Sequence, residues 1–204
     1  IVRKRFDASY ESSKFQGVNM VPRMTRLSLP AYEQLSTDQK RAYDDIAAGP
    51  RGSVRGPLAI WLNRPELADA AQSLGRYCRY DCSLPKKLRE LAILTTARIW
   101  DAEFEWAAHV DHARDAGLSE DIIHALCNDH KVPFTTDAET VVYSVTQTLN
   151  TTRALPDELY QQAHDILGRN QLVDLIGLLG YYALISMTIK AFDIDPNALN
   201  TPQK

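Results

Sequence analysis

The sequence predicts an all-α protein, and three observations support this fold class. Apolar residues recur three or four positions apart, the spacing of one helical face, as in residues 88–99. Residues that start or stop helices, namely Ser, Thr, Pro and Gly, bound these segments at short intervals. No run alternates apolar and polar residues for long enough to indicate a strand.

The helix boundaries follow from local sequence signals. Ser36 is a good N-cap, and Pro65 and Pro85 suit the first turn of a helix. Asp101 is expected to cap the helix that contains His109, and Gly117 to end it. The predicted helices cover about residues 36–48, 58–62, 65–81, 85–99, 101–117, 119 onward, 137–150, 156–168 and 171–192.

Residues 24–204 are predicted to form one helical domain, preceded by residues 1–23 as a flexible arm or tag remnant. The uncharged run 175–189 is shorter than the roughly 20 residues that span a bilayer, so it is interpreted as a central helix buried on all sides. A Leu-Pro-x-x-Leu-x-x-x-Ala pattern occurs at residues 84–92 and 155–163. It indicates either a duplicated helical hairpin or coincidence, since Leu-Pro is common at helix starts.

Composition excludes some classes of partner. The 204 residues carry a net charge of −3, which gives no reason to expect nucleic acid or an anionic membrane as partner. The three cysteines lack the spacing of a zinc site, and an odd number favours a reducing compartment. We therefore expect a soluble cytoplasmic protein.

Glu105 and His109 form the most informative pair in the chain. They are four residues apart in an apolar helical segment, so their side chains lie on one face and can meet. Glu90 lies on a neighbouring predicted helix whose middle is uncharged, and its carboxylate needs a buried partner. His109 is the obvious candidate. The three side chains are interpreted as a proton relay or, alternatively, as a buried ionic network that joins two helices.

A family resemblance extends over this region. Residues 84–94 (LPKKLRELAIL), 103–109 (EFEWAAH) and 113–119 (ARDAGLS) together resemble the carboxymuconolactone decarboxylase and alkylhydroperoxidase D superfamily. Weaker matches lie at residues 65–77 and 181–192. The resemblance implies an alkylhydroperoxidase D-like helical bundle. It also implies a homo-oligomer, as a dimer, trimer or hexamer.

The chain departs from the peroxidase branch of that superfamily at two positions. In that branch, the cysteines of a Cys-x-x-Cys pair lie seven and four residues before the relay histidine. Ala102 and Glu105 stand at these positions here, so thiolate attack has no starting group. Glu90 and His109 match the relay glutamate and histidine. The resemblance thus implies that acid–base chemistry is retained without thiol chemistry.

Other side chains are weaker candidates. Arg55, Arg79, Tyr80 and Trp106 are candidate substrate-binding residues, since Arg can hold a carboxylate bidentately. The plainer interpretation of Arg79 is a solvated arginine on a helix face, and that of Trp106 is packing in the core or at a subunit contact. His112 extends the Glu105–His109 face into a possible metal-ligand stripe, but no fourth ligand is identifiable, so no metal site is predicted. Cys78, Cys82 and Cys127 are interpreted as small apolar residues.

The predicted function is that of a cofactor-free, carboxymuconolactone decarboxylase-like lyase. It would act on a small carboxylated lactone or cyclic acid, with His109 or Glu105 as proton donor and Glu90 orienting His109. Two rivals remain open: a redox protein that uses Cys78 and Cys82, and a non-catalytic helical oligomer with a structural Glu/His network. Another acid–base reaction on the same scaffold is a third possibility.

Overall fold

The computed structural model describes residues 25–196, and the predicted arm at residues 1–23 lies outside them. The described residues contain helices and turns and no strand, which confirms the predicted all-α class. The α-helices are α1 Thr37–Ala48, α2 Pro57–Trp61, α3 Pro65–Arg76, α4 Lys86–Ile99, α5 Glu103–Asp115, α6 Glu120–Cys127, α7 Asp137–Thr152 and α8 Asp157–Phe192.

Local signals set most helix ends as predicted. Ser36 and Thr136 begin α1 and α7 with capping boxes, and Ser119 accepts a hydrogen bond from the backbone of Ile122 at the start of α6. The helix predicted over 65–81 divides into α3 and a π-helical turn, Tyr77–Asp81. Gly168 interrupts α8 with φ 73°, which agrees with the two helices predicted there.

Helix α4 occupies the centre of the fold. It packs against α5, α7 and α8, and every residue from Glu90 to Arg98 is buried. Because side chains all round this helix are enclosed, its polar residues need partners inside the protein. Glu90 has its partner on α5, and Arg98 has its partners in loops outside α4.

The prediction that Asp101 caps α5 is wrong. Ala102 occupies the N-cap position without a side-chain hydrogen bond, while Asp101 adopts a left-handed conformation with φ 49°. Its carboxylate accepts a hydrogen bond from Arg98 over 2.8 Å, and Asp129 accepts a second from the same guanidinium over 2.6 Å. Arg98 is only 6% exposed, so its charge needs these carboxylates more than the helix end needs a cap.

The prediction that residues 175–189 are buried on all sides is also wrong. One face of α8 packs into the core through residues such as Leu175, Tyr181 and Tyr182, but another face is exposed. In length and composition α8 could cross a membrane, yet 61% of its most apolar window is buried inside the protein. Such burial is typical of a core helix in a globular fold.

Candidate active site

His109 lies between two buried carboxylates. Its Nδ1 atom is 2.7 Å from Glu90 Oε2, and its Nε2 atom is 3.0 Å from Glu105 Oε1. Glu105 reaches it along α5 because the two residues are one turn apart, whereas Glu90 reaches it from α4. The contact between Glu90 and His109 was expected from the sequence and is present. The three residues are only 3–5% exposed.

This arrangement must retain a proton. A neutral imidazole has one N–H group, so it can donate to only one of its two carboxylate neighbours. Either the ring is doubly protonated or one carboxyl group is protonated. In both forms the three side chains share a net charge of −1 and one readily transferred proton.

The pKa directions favour a charged ring. Burial by itself would lower the pKa of His109, but the hydrogen bonds to Glu105 and Glu90 raise it above its ordinary value. Burial likewise acts to raise the pKa of Glu90, whereas the hydrogen bond and charge of His109 and the charge of Arg79 lower it. An imidazolium whose Nδ1–H group donates a hydrogen bond to the Glu90 carboxylate agrees with both the raised pKa of His109 and the lowered pKa of Glu90.

Tyr182 is a site residue that the sequence reasoning missed. Its hydroxyl lies 3.3 Å from His109 Nε2, and burial and the charge of Glu105 raise its pKa well above the ordinary value. A tyrosine inside an uncharged helix needs a partner for its hydroxyl, and that was the available signal. One turn later on α8, the buried Ser186 hydroxyl has no hydrogen-bond partner among the described residues.

Arg79 is the cation that acts on the relay. It lies on the π-helical turn Tyr77–Asp81 and is partly exposed. Burial acts to lower its pKa, but the nearby charges of Tyr182, Tyr80, Glu90 and Glu105 raise it. Its positive charge therefore compensates the net charge of −1 on the relay.

Asp174 of α8 binds the first residue of the turn that carries Arg79 and a residue just after that turn. It accepts hydrogen bonds from the hydroxyl of Tyr77 over 2.6 Å and from the backbone N–H of Ser83 over 2.7 Å. Its pKa is lowered, since these hydrogen bonds outweigh its burial. Single π-helical turns are frequent at functional sites, and this one is fixed relative to α8.

The remaining predicted site residues are Tyr80, Arg55 and Trp106. Tyr80 is exposed and lies against the Arg79 guanidinium, 5.4 Å from ring centre to Cζ. Arg55 donates to Ser53 over 2.8 Å in the loop before α2. Trp106 is buried in the hydrophobic core, as its plainer interpretation expected.

His112 and the cysteines are the remaining candidates for metal binding or redox chemistry. The His112 ring is exposed and lies 5.8 Å from the His109 ring, and no group of three or more potential ligands occurs within residues 25–196. Cys78 and Cys82 are buried free thiols. Burial raises the pKa of Cys78 to about 11, which disfavours its reactive thiolate.

Two cavities have linings that lack the relay residues. A polar one of about 90 Å³ is lined by Arg98, Asp129 and His130, among others. An apolar one of about 160 Å³ is lined by Tyr160 and Val173, among others. None of the three relay residues lines either cavity. Because the relay residues are only 3–5% exposed, substrate entry at His109 would require displacement of groups that cover the relay.

Comparison with known protein families gives a match over the region that contains the relay. The model of the carboxymuconolactone decarboxylase family matches residues 65–148, which contain Glu90, Glu105 and His109. No match was found among curated proteins.

Solved structures share the fold at low sequence identity. An uncharacterized peroxidase-related protein from Silicibacter sp. TM1040 is 15% identical, with a TM-score of 0.71 over 86% of this chain and 93% of that one. An alkylhydroperoxidase AhpD core protein from Ralstonia eutropha JMP134, also peroxidase-related, is 14% identical, with a TM-score of 0.69 over 85% and 92%.

Proposed function

We propose that this chain, which belongs to the carboxymuconolactone decarboxylase and AhpD-like superfamily, is a thiol-independent acid–base enzyme that decarboxylates a small carboxylated lactone or cyclic acid. The observation that carries the proposal is a histidine placed between two buried carboxylates, 2.7 and 3.0 Å away. Such a group keeps a proton available near neutral pH, as general acid catalysis requires.

The residues divide into three roles. Glu90 accepts a hydrogen bond from Nδ1–H of His109, so it orients the ring and stabilises the imidazolium. The Nε2–H proton then leaves the ring toward Glu105, which is the group that meets the substrate together with Tyr182. Arg79 supplies a positive charge that attracts the carboxylate of the substrate.

The proposed step balances as follows. The bond between the substrate carbon and its carboxylate breaks, CO₂ leaves, and the electron pair passes into the conjugated carbonyl group as an enolate. The enolate carbon then takes the proton that His109 delivers through Glu105, and a proton from water restores the relay. Charge from Arg79 stabilises the enolate while it exists.

A second candidate is a structural network without catalysis. It is favoured by the 3–5% exposure of the relay residues. Peroxidase chemistry is disfavoured, since Ala102 and Glu105 occupy the two positions where that branch has cysteines. The raised pKa of Cys78 argues against its use as a replacement thiol.

One experiment separates these candidates. The purified protein is incubated with a panel of carboxylated lactones in D₂O, and CO₂ release and deuterium incorporation at the decarboxylated carbon are measured. We expect turnover of at least one member, and a roughly 10²–10⁴-fold loss in His109→Ala at unchanged helicity. Equal turnover in His109→Ala would exclude the relay as the catalytic group. No turnover, combined with loss of assembly in the variant, would favour the structural network.

A separate assay tests the redox rival. Thiol titration before and after peroxide treatment should show no rapid thiol consumption in the folded protein, because Cys78 and Cys82 are buried. Stoichiometric, peroxide-dependent loss of two thiols would instead support redox chemistry at these cysteines.

A further inference from the structure

A buried tyrosine near the relay is bonded to an arginine. Nη2 of Arg51, in the loop before α2, donates a hydrogen bond to the hydroxyl of Tyr181 over 3.1 Å. Tyr181 is 1% exposed, and it precedes Tyr182, whose hydroxyl lies 3.3 Å from Nε2 of His109. The two tyrosine rings meet edge to face, with their centres 5.3 Å apart. The Arg51–Tyr181 pair therefore lies close to the group that handles the proton.

Gly75 of α3 makes room for this pair. A Cβ atom at this position would overlap both the hydroxyl of Tyr181 and the guanidinium of Arg51. Gly75 is buried in the last turn of α3, where a larger residue would displace them. Glycine is used where another group must approach the backbone closely. The fold therefore encloses the arginine and the hydroxyl together.

The loop that carries Arg51 also contacts helix α5. Gly56, with φ 56°, lies against the ring of Phe104 so closely that a Cβ atom there would overlap the ring. Phe104 directly precedes Glu105 in α5. The loop therefore reaches α5 beside Glu105 as well as Tyr181 of α8.

The hydroxyl of Tyr181 has a proton to donate. A guanidinium has N–H donors and no acceptor, so the oxygen of Tyr181 accepts the hydrogen bond from Arg51. Burial raises the pKa of Tyr181, although the charge of Arg51 acts to lower it, so the hydroxyl keeps its proton at neutral pH. Within residues 25–196, no group accepts this proton in a hydrogen bond. A buried O–H group of this kind is available to a ligand.

Arg51 also brings a positive charge that no neighbouring carboxylate offsets. Arg98, which is more deeply buried, has Asp101 and Asp129 as partners. Arg51 is partly buried, yet it forms no ion pair with a carboxylate of residues 25–196. The charge of Arg51 therefore polarises the O–H group of Tyr181 and favours a negatively charged oxygen beside it.

The proposed decarboxylation creates an oxygen of this kind. When CO₂ leaves, the electron pair of the broken C–C bond passes through the conjugated system to the carbonyl oxygen, which becomes an enolate oxygen. That oxygen lies several bonds from the carbon that is protonated afterwards, so the two atoms need different side chains. The relay serves the carbon, and the oxygen needs a hydrogen-bond donor.

We propose that Tyr181, polarised by Arg51, donates a hydrogen bond to the carbonyl oxygen of the substrate as this oxygen becomes an enolate. The inference rests on the proposed decarboxylation and adds two residues to it. Tyr181 contacts the substrate, and Arg51 is a positioning residue that acts through Tyr181. The hydrogen bond strengthens as charge develops, and no proton is transferred. When the relay protonates the carbon, the electron pair forms the new C–H bond and the carbonyl group is restored.

Equilibrium binding tests the proposal without requiring turnover. Isothermal titration calorimetry of the full chain compares tetronate, a lactone that is an enolate anion at neutral pH, with γ-butyrolactone, an uncharged lactone of the same ring size. The wild-type protein should bind tetronate about tenfold or more tightly than γ-butyrolactone. Tyr181→Phe and Arg51→Gln should each lose most of this preference. Arg64→Gln, which alters an exposed arginine, is the matched control and should keep it.

A purely structural role of Arg51 would have a different signature. If Arg51 only fixed the loop, both ligands would lose affinity equally in Arg51→Gln, and that result would overturn the proposal. Absence of a preference for tetronate in the wild-type protein would also overturn it. Arg51→Lys keeps the charge but has fewer donors, so it should retain an intermediate preference.

Turnover separates this inference from the proposed function. With any substrate that releases CO₂, Tyr181→Phe should lower kcat by about tenfold and change KM little, because the lost hydrogen bond is stronger in the transition state than in the bound substrate. An unchanged kcat would overturn the inference and leave the decarboxylation in place. If the preference for tetronate depends on Tyr181 but no lactone of the panel releases CO₂, the enolate-oxygen site stands and the decarboxylation fails.

Discussion

Glu139 and Glu90 are both buried carboxylates at helix α4, but different kinds of partner balance their charges. Glu139 of α7 contacts Lys87 Nζ at 2.5 Å and accepts hydrogen bonds from Thr135 and Thr136. Glu90 lies on α4, about one turn after Lys87, and contacts His109 instead. All partners of Glu139 keep their protons at neutral pH, whereas the partner of Glu90 titrates there and is shared with a second acid.

This difference separates a structural ion pair from a proton-handling site. At Glu139 one acid meets one cation, so its charge is balanced and no proton needs to move. At His109 two acids share one base, so a proton can reside on any of three groups. Burial is similar at the two places. The number of acids for each base, and the kind of base, therefore distinguish their roles.

The largest expected effect comes from neutralising each carboxylate in turn. Glu90→Gln should lower the rate of decarboxylation per folded molecule by about 10²-fold, because an amide still contacts the His109 ring but no longer stabilises the imidazolium. Glu139→Gln should leave the rate per folded molecule unchanged. Both variants are compared by turnover and urea unfolding, and equal losses of turnover would remove the distinction.

Breaking the Lys87–Glu139 ion pair should lower stability and leave the turnover per folded molecule unchanged. Lys87→Met leaves the Glu139 carboxylate buried without its cation, which should lower the free energy of unfolding by about 2 kcal/mol, since Lys87 itself is partly exposed. Urea denaturation measures this change. A loss of turnover beyond that explained by unfolded protein would show that the pair also supports catalysis.

The two sites should differ in how stability depends on pH. The raised pKa of His109 contributes stability that is complete below its ordinary value of 6.5 and is lost as pH rises through the folded-state value. The lowered pKa values of Glu90 and Glu139 contribute stability above about 4.5 that is lost as pH falls through the folded-state values. Only the relay therefore produces a loss on the alkaline side.

Thermal unfolding from pH 4 to pH 9 measures this difference. His109→Gln should lack the alkaline decrease in stability, and Glu139→Gln should keep it. An alkaline decrease of unchanged size in His109→Gln would show that another group causes it.

The smallest expected effect concerns Tyr182. Its hydroxyl lies 3.3 Å from His109 Nε2, near the upper limit for a hydrogen bond, and Glu105 is closer to the same atom. Tyr182→Phe should therefore lower turnover by less than tenfold and the free energy of unfolding by about 1 kcal/mol. Tyr181→Phe, which alters the neighbouring hydroxyl bonded to Arg51, is the matched control for stability. A larger loss of turnover in Tyr182→Phe would make Tyr182 a proton donor itself.

Sequence alone determined the parts of this protein that depend on local interactions. Helix periodicity, the caps at Ser36 and Ser119 and the break near Gly168 act over one or two turns, so they can be recognised without the fold. The Glu105–His109 contact belongs to the same class, because a helix brings together residues four positions apart.

Tertiary structure decided the rest. Glu90 and His109 are 19 residues apart and meet only because α4 packs on α5. Asp101 turned away from its helix because Arg98, enclosed by the fold, needed a counter-charge. The sequence also could not show that one face of α8 is exposed, since apolar residues occur both in cores and on exposed faces. Periodicity shows which residues share a face, but only packing between helices determines what that face contacts.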